Sequence, residues 1–189
     1  MECWPITHHI HSVPDLTDRT ALNFGGLSGE FRWQLIHRDI SPVGVTLSFA
    51  PQWQRIDDMS GRRVESYALP IALLADTALV ASKMFAAANL IYAPAAHTNS
   101  YPLEFSPAIA AAVTDRIFLG AEIRHITRNQ NGFFTGRALF IGPSVFVKLS
   151  ESVAFEAAWT VQIPDETTNH LDLVNFERHQ VLAVLLKNF

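Results

Sequence analysis

A chain of 189 residues with a net charge of −4 is long enough for one domain and short for two. The acidic balance leaves no basic surface of the kind that binds nucleic acid, so we expect no nucleic-acid partner. A single cysteine, Cys3, excludes an internal disulfide and a cysteine-based metal cluster. Thirteen Phe and four Trp favour a β-rich protein, because aromatic side chains are enriched in strands and at membrane interfaces.

Residues 1–22 are polar and rich in turn-forming residues, so we predict a loop segment here and a β-domain over residues 23–189. The first ten residues have neither the positive region nor the long apolar core of a signal peptide. Residues 69–93 are strongly apolar, but Pro70, Asp76 and Lys83 interrupt them, which excludes a transmembrane helix. Because this stretch is rich in Ala, a helical hairpin remains an alternative to strands there.

From Gly26 onward, apolar and polar residues alternate with the period of a strand that has two different faces. The pattern predicts about nine strands, and a tenth if residues 1–10 supply one. The apolar positions that we assign to a lipid-facing surface are Leu47, Phe49, Val145, Val147, Phe155 and Val161. The positions that we assign to the opposite, lumen-facing surface are Glu30, Arg32, Gln34, Gln52, Glu122, Arg124 and Glu156. We expect Glu30 and Arg32, and Glu122 and Arg124, to form cross-strand or cross-lumen ion pairs, because a charge removed from bulk water needs a partner.

The predicted connections alternate in length along the chain. Short turns are expected at residues 38–42, 114–116 and 149–152, and long loops at 55–62, 93–101, 128–136 and 163–171. Residues 76–82 are an exception to the alternation. Outer-membrane barrels alternate short periplasmic turns with longer extracellular loops in this way, whereas a soluble antiparallel sandwich is the competing interpretation.

Four stretches carry a resemblance to a known group of proteins: residues 24–35, 137–150, 157–162 and 175–181. Over residues 12–189 the chain resembles uncharacterised outer-membrane β-barrel proteins of Gram-negative bacteria, whose closing strand ends on an aromatic residue such as Phe189. The resemblance implies membrane lipid and the barrel-assembly machinery, through the C-terminal strand, as partners. It implies no catalytic or cofactor-binding residue. The chain departs from the group at Leu182, Val184 and Lys187, which do not fit the expected faces.

The sequence thus predicts an all-β, antiparallel up-and-down meander of nine or ten long strands, forming a complete or incomplete outer-membrane-type barrel. An odd strand number and the lack of a targeting segment lead us to expect that the chain starts inside a longer product. We expect a structural or narrow-pore role for small solutes, with no catalytic site, cofactor or metal. A metal site at His8, His9 and His11 is less favoured than an irregular segment. Two other functions remain open: a soluble β-barrel that binds an apolar ligand, and an envelope lipid-modifying barrel enzyme.

Overall fold

The protein is built from β-strands throughout the part of the chain that the computed structural model describes, namely residues 2–10, 19–56, 63–96, 100–165 and 169–187. No helix long and apolar enough to cross a membrane occurs among these residues. The strands, in chain order, are β1 (Glu2–Ile10), β2 (Arg19–Ser28), β3 (Phe31–Ile36), β4 (Val43–Phe49), β5 (Gln52–Ile56), β6 (Arg63–Ala68), β7 (Ile71–Val80), β8 (Met84–Tyr92), β9 (Leu103–Ala112), β10 (Ile117–Gln130), β11 (Phe133–Lys148), β12 (Val153–Ile163) and β13 (His179–Lys187).

All neighbouring strands are antiparallel, and they form two hydrogen-bonded sheets with the orders β1-β2-β5-β6 and β13-β12-β11-β10-β9-β8-β7-β4-β3. The register is continuous between the sheets. Ser28 pairs with Gln52 in one sheet, and Phe31 pairs with Phe49 in the other, in the same alignment. The pairs β2/β3, β4/β5 and β6/β7 are therefore three long strands, each interrupted once. Within the described residues the fold is a meander of ten strands, which confirms the predicted fold class.

Proline residues lie at two of the three interruptions. Pro51 lies between β4 and β5, and Pro70 lies between β6 and β7. Proline has no N–H group to donate to a ladder, but its carbonyl oxygen can still accept. The Pro51 carbonyl accepts a hydrogen bond from the Gly29 N–H at 3.1 Å, and the Pro70 carbonyl accepts one from the Ala50 N–H at 2.9 Å. The ladder therefore continues across the breaks, and the two faces of each long strand are preserved.

The structure corrects the predicted loop over residues 1–22. This segment contains β1 and the first part of β2, which pair over nine residue positions from Glu2↔Ser28 to Ile10↔Arg19. Strand β2 crosses the predicted domain boundary between residues 22 and 23. The polar composition and Pro5 concealed β1, because Pro5 sits at an irregularity that interrupts the period of two. Strand β1 is the tenth strand that we left open for residues 1–10, so of the two predicted strand numbers ten is confirmed and nine is not.

Two predicted connections are also wrong. Residues 128–136 do not form a long loop, because β10 and β11 continue to a tight turn at Asn131 and Gly132, with φ of 52° and 81°. Positive φ at both central residues is the geometry of a type I′ hairpin turn, which Asn-Gly favours. The exception at residues 76–82 disappears, because β7 runs to Val80 and the turn to β8 occupies only residues 81–83.

The Ala-rich region forms strands β7 and β8 and not a helical hairpin. Ala75 on β7 pairs with Ala88 on β8, and Ala87 on β8 pairs with Ala108 on β9. Strand pairing overrides the helical preference of alanine here, because the flanking strands supply ladder partners on both sides.

The sheets retain open edges. Strands β3 and β13 are the outer strands of the larger sheet, and β1 is an outer strand of the smaller one. Among the described residues, no ladder joins β13 to β1 or to β3. The predicted terminal signature, Phe189, lies outside the described residues.

Candidate functional site: the inner face of the meander

The two faces of the meander differ in chemistry: one is apolar, and the other holds polar and charged side chains together with aromatic ones such as Phe118 and Phe140. On one face, large apolar side chains are exposed, among them Leu119 at 53%, Phe105 at 47% and Trp159 at 52%. On the other face, Thr160 is 2% exposed and Gln162 is 6% exposed. We call the first the outer face and the second the inner face. A water-soluble sheet normally buries its apolar face, so this distribution is inverted.

The register places the predicted residues on two separate faces. Four of the predicted apolar residues lie on the outer face: Val145, Val147, Phe155 and Val161. They occur in the cross-strand pairs Ile117↔Val147↔Phe155, Leu119↔Val145 and Ile141↔Val161. Leu47 and Phe49 pair with Leu73 and Ile71 on the same face. All seven predicted polar residues occupy the alternate positions: Glu30, Arg32, Gln34, Gln52, Glu122, Arg124 and Glu156.

The inner face is concave. Arg124 on β10 donates a hydrogen bond from Nη1 to Oε1 of Gln180 on β13 at 2.7 Å, although two strands separate them. In a flat sheet these strands would lie about 14 Å apart. Close backbone approach at Gly142 agrees with this curvature, because a Cβ at that position would overlap the Trp159 carbonyl oxygen and the Thr160 Cα.

Arg124 is the centre of the charged part of the inner face. Its Nε and Nη2 atoms donate to the two carboxylate oxygens of Glu104 on β9 at 2.9 and 2.8 Å. A bidentate guanidinium–carboxylate pair fixes both orientation and charge. Ser106 donates a further hydrogen bond to Glu104. The cross-strand ion pair predicted for Arg124 is therefore confirmed, with Glu104 on β9 as its partner.

Glu122 and Glu156 face a cavity of about 170 Å³ on the inner face. Small residues leave this space open, including Gly120, Ser144 and Ala110. Neither carboxylate forms an ion pair or hydrogen bond with any described residue, so the expected ion pair of Glu122 is wrong. The centre of the interior therefore carries two acidic side chains without an ion-pair or hydrogen-bond partner among the described residues, beside the Arg124–Glu104 pair.

Glu30 and Arg32 form an ion pair with each other along one strand, and not across strands as predicted, at 2.8 Å between Arg32 Nη2 and Glu30 Oε2. The hydroxyl of Ser48 on β4 also donates to Glu30 at 2.6 Å. Because the Arg32 side chain is 65% exposed, this pair contributes little stability on its own.

Aromatic side chains occupy the inner face near the short turns. Phe118 contacts Phe85 and Phe146 with ring centroids 5.8 and 5.9 Å apart. The Lys148 ammonium lies 5.7 Å from the Phe118 ring. Beside them, a cavity of about 860 Å³ is lined both by Arg32 and by the β11–β12 turn, so the sheet curls β3 towards that turn.

The opposite end is covered by residues 169–178, the segment that precedes β13, which we call the plug. Phe176 of the plug is 2% exposed and packs against Phe140 on β11, in a cluster with Ile126 and Ala138. The Arg128 guanidinium lies 4.8 Å from the Phe176 ring. The inner face is thus charged at its centre, aromatic near the short turns and covered by the plug on β10–β12 near the other end.

Sequence analysis missed Glu104 as the partner of Arg124, and Phe140 and Phe176 as the covered cluster. Glu104 lies in an alternating stretch and could have been assigned to the inner face with the other charges. Phe176 lies in a segment without a period, so no local signal places it against a residue 36 positions earlier.

The described residues contain no group of three or more His, Cys, Asp or Glu side chains arranged to hold a metal ion. The side chains of His8, His9 and His11 lie outside the described part of the chain. A cavity of about 330 Å³ near the plug is lined by His125, Asp165 and His170, together with Arg137, which forms an ion pair with Asp165. Its lining includes no Ser, Thr or Cys side chain that could act as a nucleophile.

A family model described as a family of unknown function (DUF6662) matches residues 13–189. The chain belongs to this family. The DUF6662 match includes every inner-face charge named above and the whole plug. Comparisons with curated proteins and with solved structures found no match.

Proposed function

We propose that this DUF6662 protein forms the wall of an outer-membrane-type β-barrel with a narrow polar interior. The observation that carries the proposal is the inverted distribution of polarity. Exposed apolar side chains cover the outer face, while Arg124 and Glu104 are partly buried on the inner face. Transmembrane barrels have this alternation, with apolar residues outside and polar residues inside.

The length of the apolar band supports the membrane assignment. The outward positions on and just after β11 run without a charge from Leu139 to Leu149, and Arg137 precedes them. Ten residue steps span about 33 Å along a strand, or about 25 Å along the barrel axis at a tilt of roughly 40°. That height equals the apolar band of outer-membrane barrels, which is roughly 25 Å.

The open edges of the larger sheet, β3 and β13, must be paired if the protein crosses a membrane. Both β3 and β13 run towards the short-turn end, so direct pairing between them would be parallel. Lipid cannot satisfy free N–H and C=O groups, so each edge needs a strand partner in the bilayer. We infer that β13 is also the edge that the barrel-assembly machinery binds during insertion.

The two competing functions have less support. A soluble barrel that binds an apolar ligand would need an apolar interior, whereas Glu104, Glu122, Arg124 and Glu156 occupy this one. A lipid-modifying enzyme would need a nucleophile beside its base, and the His125/His170 cavity offers none among its lining residues.

The membrane assignment is tested by refolding the chain from denaturant with and without detergent micelles. We expect folding only with detergent, followed by a heat-dependent shift in electrophoretic mobility and recovery in the outer membrane of expressing cells. A soluble monomer that unfolds cooperatively in plain buffer contradicts the proposal.

A further inference from the structure

We propose that the plug is a gate that closes one end of the interior, held by Phe176 and able to open. This inference rests on the proposed membrane barrel and identifies how its passage is regulated. A cavity of about 860 Å³ lies beside Arg32 near the short turns, whereas Phe176 of the plug covers the inner face of β10 and β11 near the other end.

The plug is attached to the wall by a few specific contacts. The Phe176 ring meets Phe140 edge-to-face with centroids 6.4 Å apart. Asn175 Nδ2 donates to the Thr135 carbonyl oxygen at 2.9 Å. The adjacent residue Val174 points away and is 89% exposed. Gln162 adds two hydrogen bonds, from its N–H to the Arg178 carbonyl oxygen at 2.9 Å and from its Nε2 to the Asp172 carbonyl oxygen at 3.5 Å. None of these contacts belongs to a ladder between two strands, so the segment can detach without unfolding any strand.

The wall has a space that fits the plug. A Cβ at Gly136 on β11 would collide with the Asp172 carboxylate and approach Asn175 Nδ2 within 2.8 Å. Asp172 in turn accepts a hydrogen bond from the Asn175 N–H at 3.1 Å, which forms the turn that presents Phe176. Glycine at position 136, beside an irregularity of the β10–β11 ladder, therefore leaves the room that the docked plug needs.

Closure leaves two polar atoms unsatisfied. Thr160 Oγ1 and Gln162 Oε1 lie on the inner face of β12, are inaccessible to solvent and have no hydrogen-bond partner in the described part of the chain. Gln162 is next to the plug, because its Nε2 donates to the Asp172 carbonyl oxygen at 3.5 Å. A buried polar group without a partner opposes the state that buries it. Opening the plug would hydrate this region, so the closed state is only moderately favoured.

The gate is tested by ion conductance of the refolded 189-residue chain in planar lipid bilayers. We expect Phe176→Ala to raise the fraction of time spent open about tenfold or more, because the anchor is lost. The matched control is Val174→Ala, which changes a neighbouring but exposed plug residue and should conduct like the wild type. Thr160→Val should act in the opposite direction and reduce opening by roughly fivefold, because it removes an unsatisfied hydroxyl without changing the shape of the side chain.

A second variant keeps the test decisive if Phe176→Ala does not fold. Asn175→Ala removes the hydrogen bond to the Thr135 carbonyl oxygen without touching the aromatic anchor, and it should also increase the fraction of time spent open. An unchanged open fraction in Asn175→Ala, with Thr160→Val also unchanged, overturns the gate. Failure of the wild-type chain to insert into lipid, judged by heat-dependent mobility, overturns the proposed function instead.

Discussion

Arg124 and Gln180 are hydrogen-bonded across the inner face, 2.7 Å apart, from strands that are three positions apart in the sheet. The same guanidinium holds Glu104 on the opposite side, so one side chain connects β9, β10 and β13. This relationship fixes the curvature of the wall and positions β13.

Replacing Arg124 with Met should destabilise the fold by about 2–3 kcal/mol, because Glu104 loses its cation in a partly buried site. This cost is below the roughly 3–5 kcal/mol lost when a fully buried ion pair is broken, because the Arg124 and Glu104 side chains are 29% and 18% exposed. Adding Glu104→Gln should restore much of the loss. Denaturant titrations in micelles measure both variants, and an equally unstable double variant would show that the charge pair is not the cause.

Charge selectivity should follow from Glu122 and Glu156, the two inner-face carboxylates without ion-pair partners among the described residues. In the Phe176→Ala background, we expect cations to permeate better than anions, because fixed negative charge concentrates cations in a narrow polar space. Replacing both residues with Gln should reduce this preference. Reversal potentials in a salt gradient measure it, and a preference that the double substitution leaves unchanged would place selectivity elsewhere.

Tight curvature predicts that Gly142 is intolerant of a side chain. Gly142→Ala should cost about 1–3 kcal/mol, because the new methyl group overlaps the β12 backbone. Gly29→Ala is the matched control, since a Cβ there meets nothing within 4 Å. Unfolding free energies in micelles compare the two variants. Equal costs at the two positions would mean that β11 and β12 are not so closely packed at Gly142.

An arginine on the outer face should cost free energy according to its depth in the bilayer. Val145→Arg, at the middle of the apolar run of β11, should cost roughly 2–4 kcal/mol, whereas Leu149→Arg, at its end, should cost roughly 0–1 kcal/mol. Val147→Arg should fall between them. Folding equilibria in lipid vesicles provide the measurement, and three equal costs would show that this face does not cross a bilayer.

The alternation of polarity allowed most of the meander to be predicted from sequence. A period of two determines which residues of a strand share a face. The sequence alone therefore assigns Leu47 and Phe49 to the apolar face and Glu122 and Arg124 to the polar face, and the strand pairing agrees with this assignment. Strand β1 was missed because Pro5 and neighbouring polar residues break that period. The extension of β10 and β11 was missed because Gly132 and Gly136 resemble loop residues, although Gly136 is a strand residue that makes room for Asp172.

Partners across the interior could not be predicted, because the period assigns faces and not curvature. Glu122 is the nearest acidic residue to Arg124 on the same face of the strand, yet the curved sheet brings Glu104 and Gln180 to the guanidinium instead. The position of Phe176 depends in the same way on the fold of the plug as a whole.

Contact of the outer face with lipid is the central claim, and fluorescence quenching at two adjacent residues tests it most directly. In a Cys3→Ser background, single cysteines at Val145 and Ser144 are labelled with an environment-sensitive dye, and the chain is refolded into vesicles that contain brominated lipid. Val145 lies on the outer face and Ser144 on the cavity that holds Glu122. We expect strong quenching at position 145 and little at position 144. Equal quenching at both positions, or quenching at 144 alone, would contradict the account.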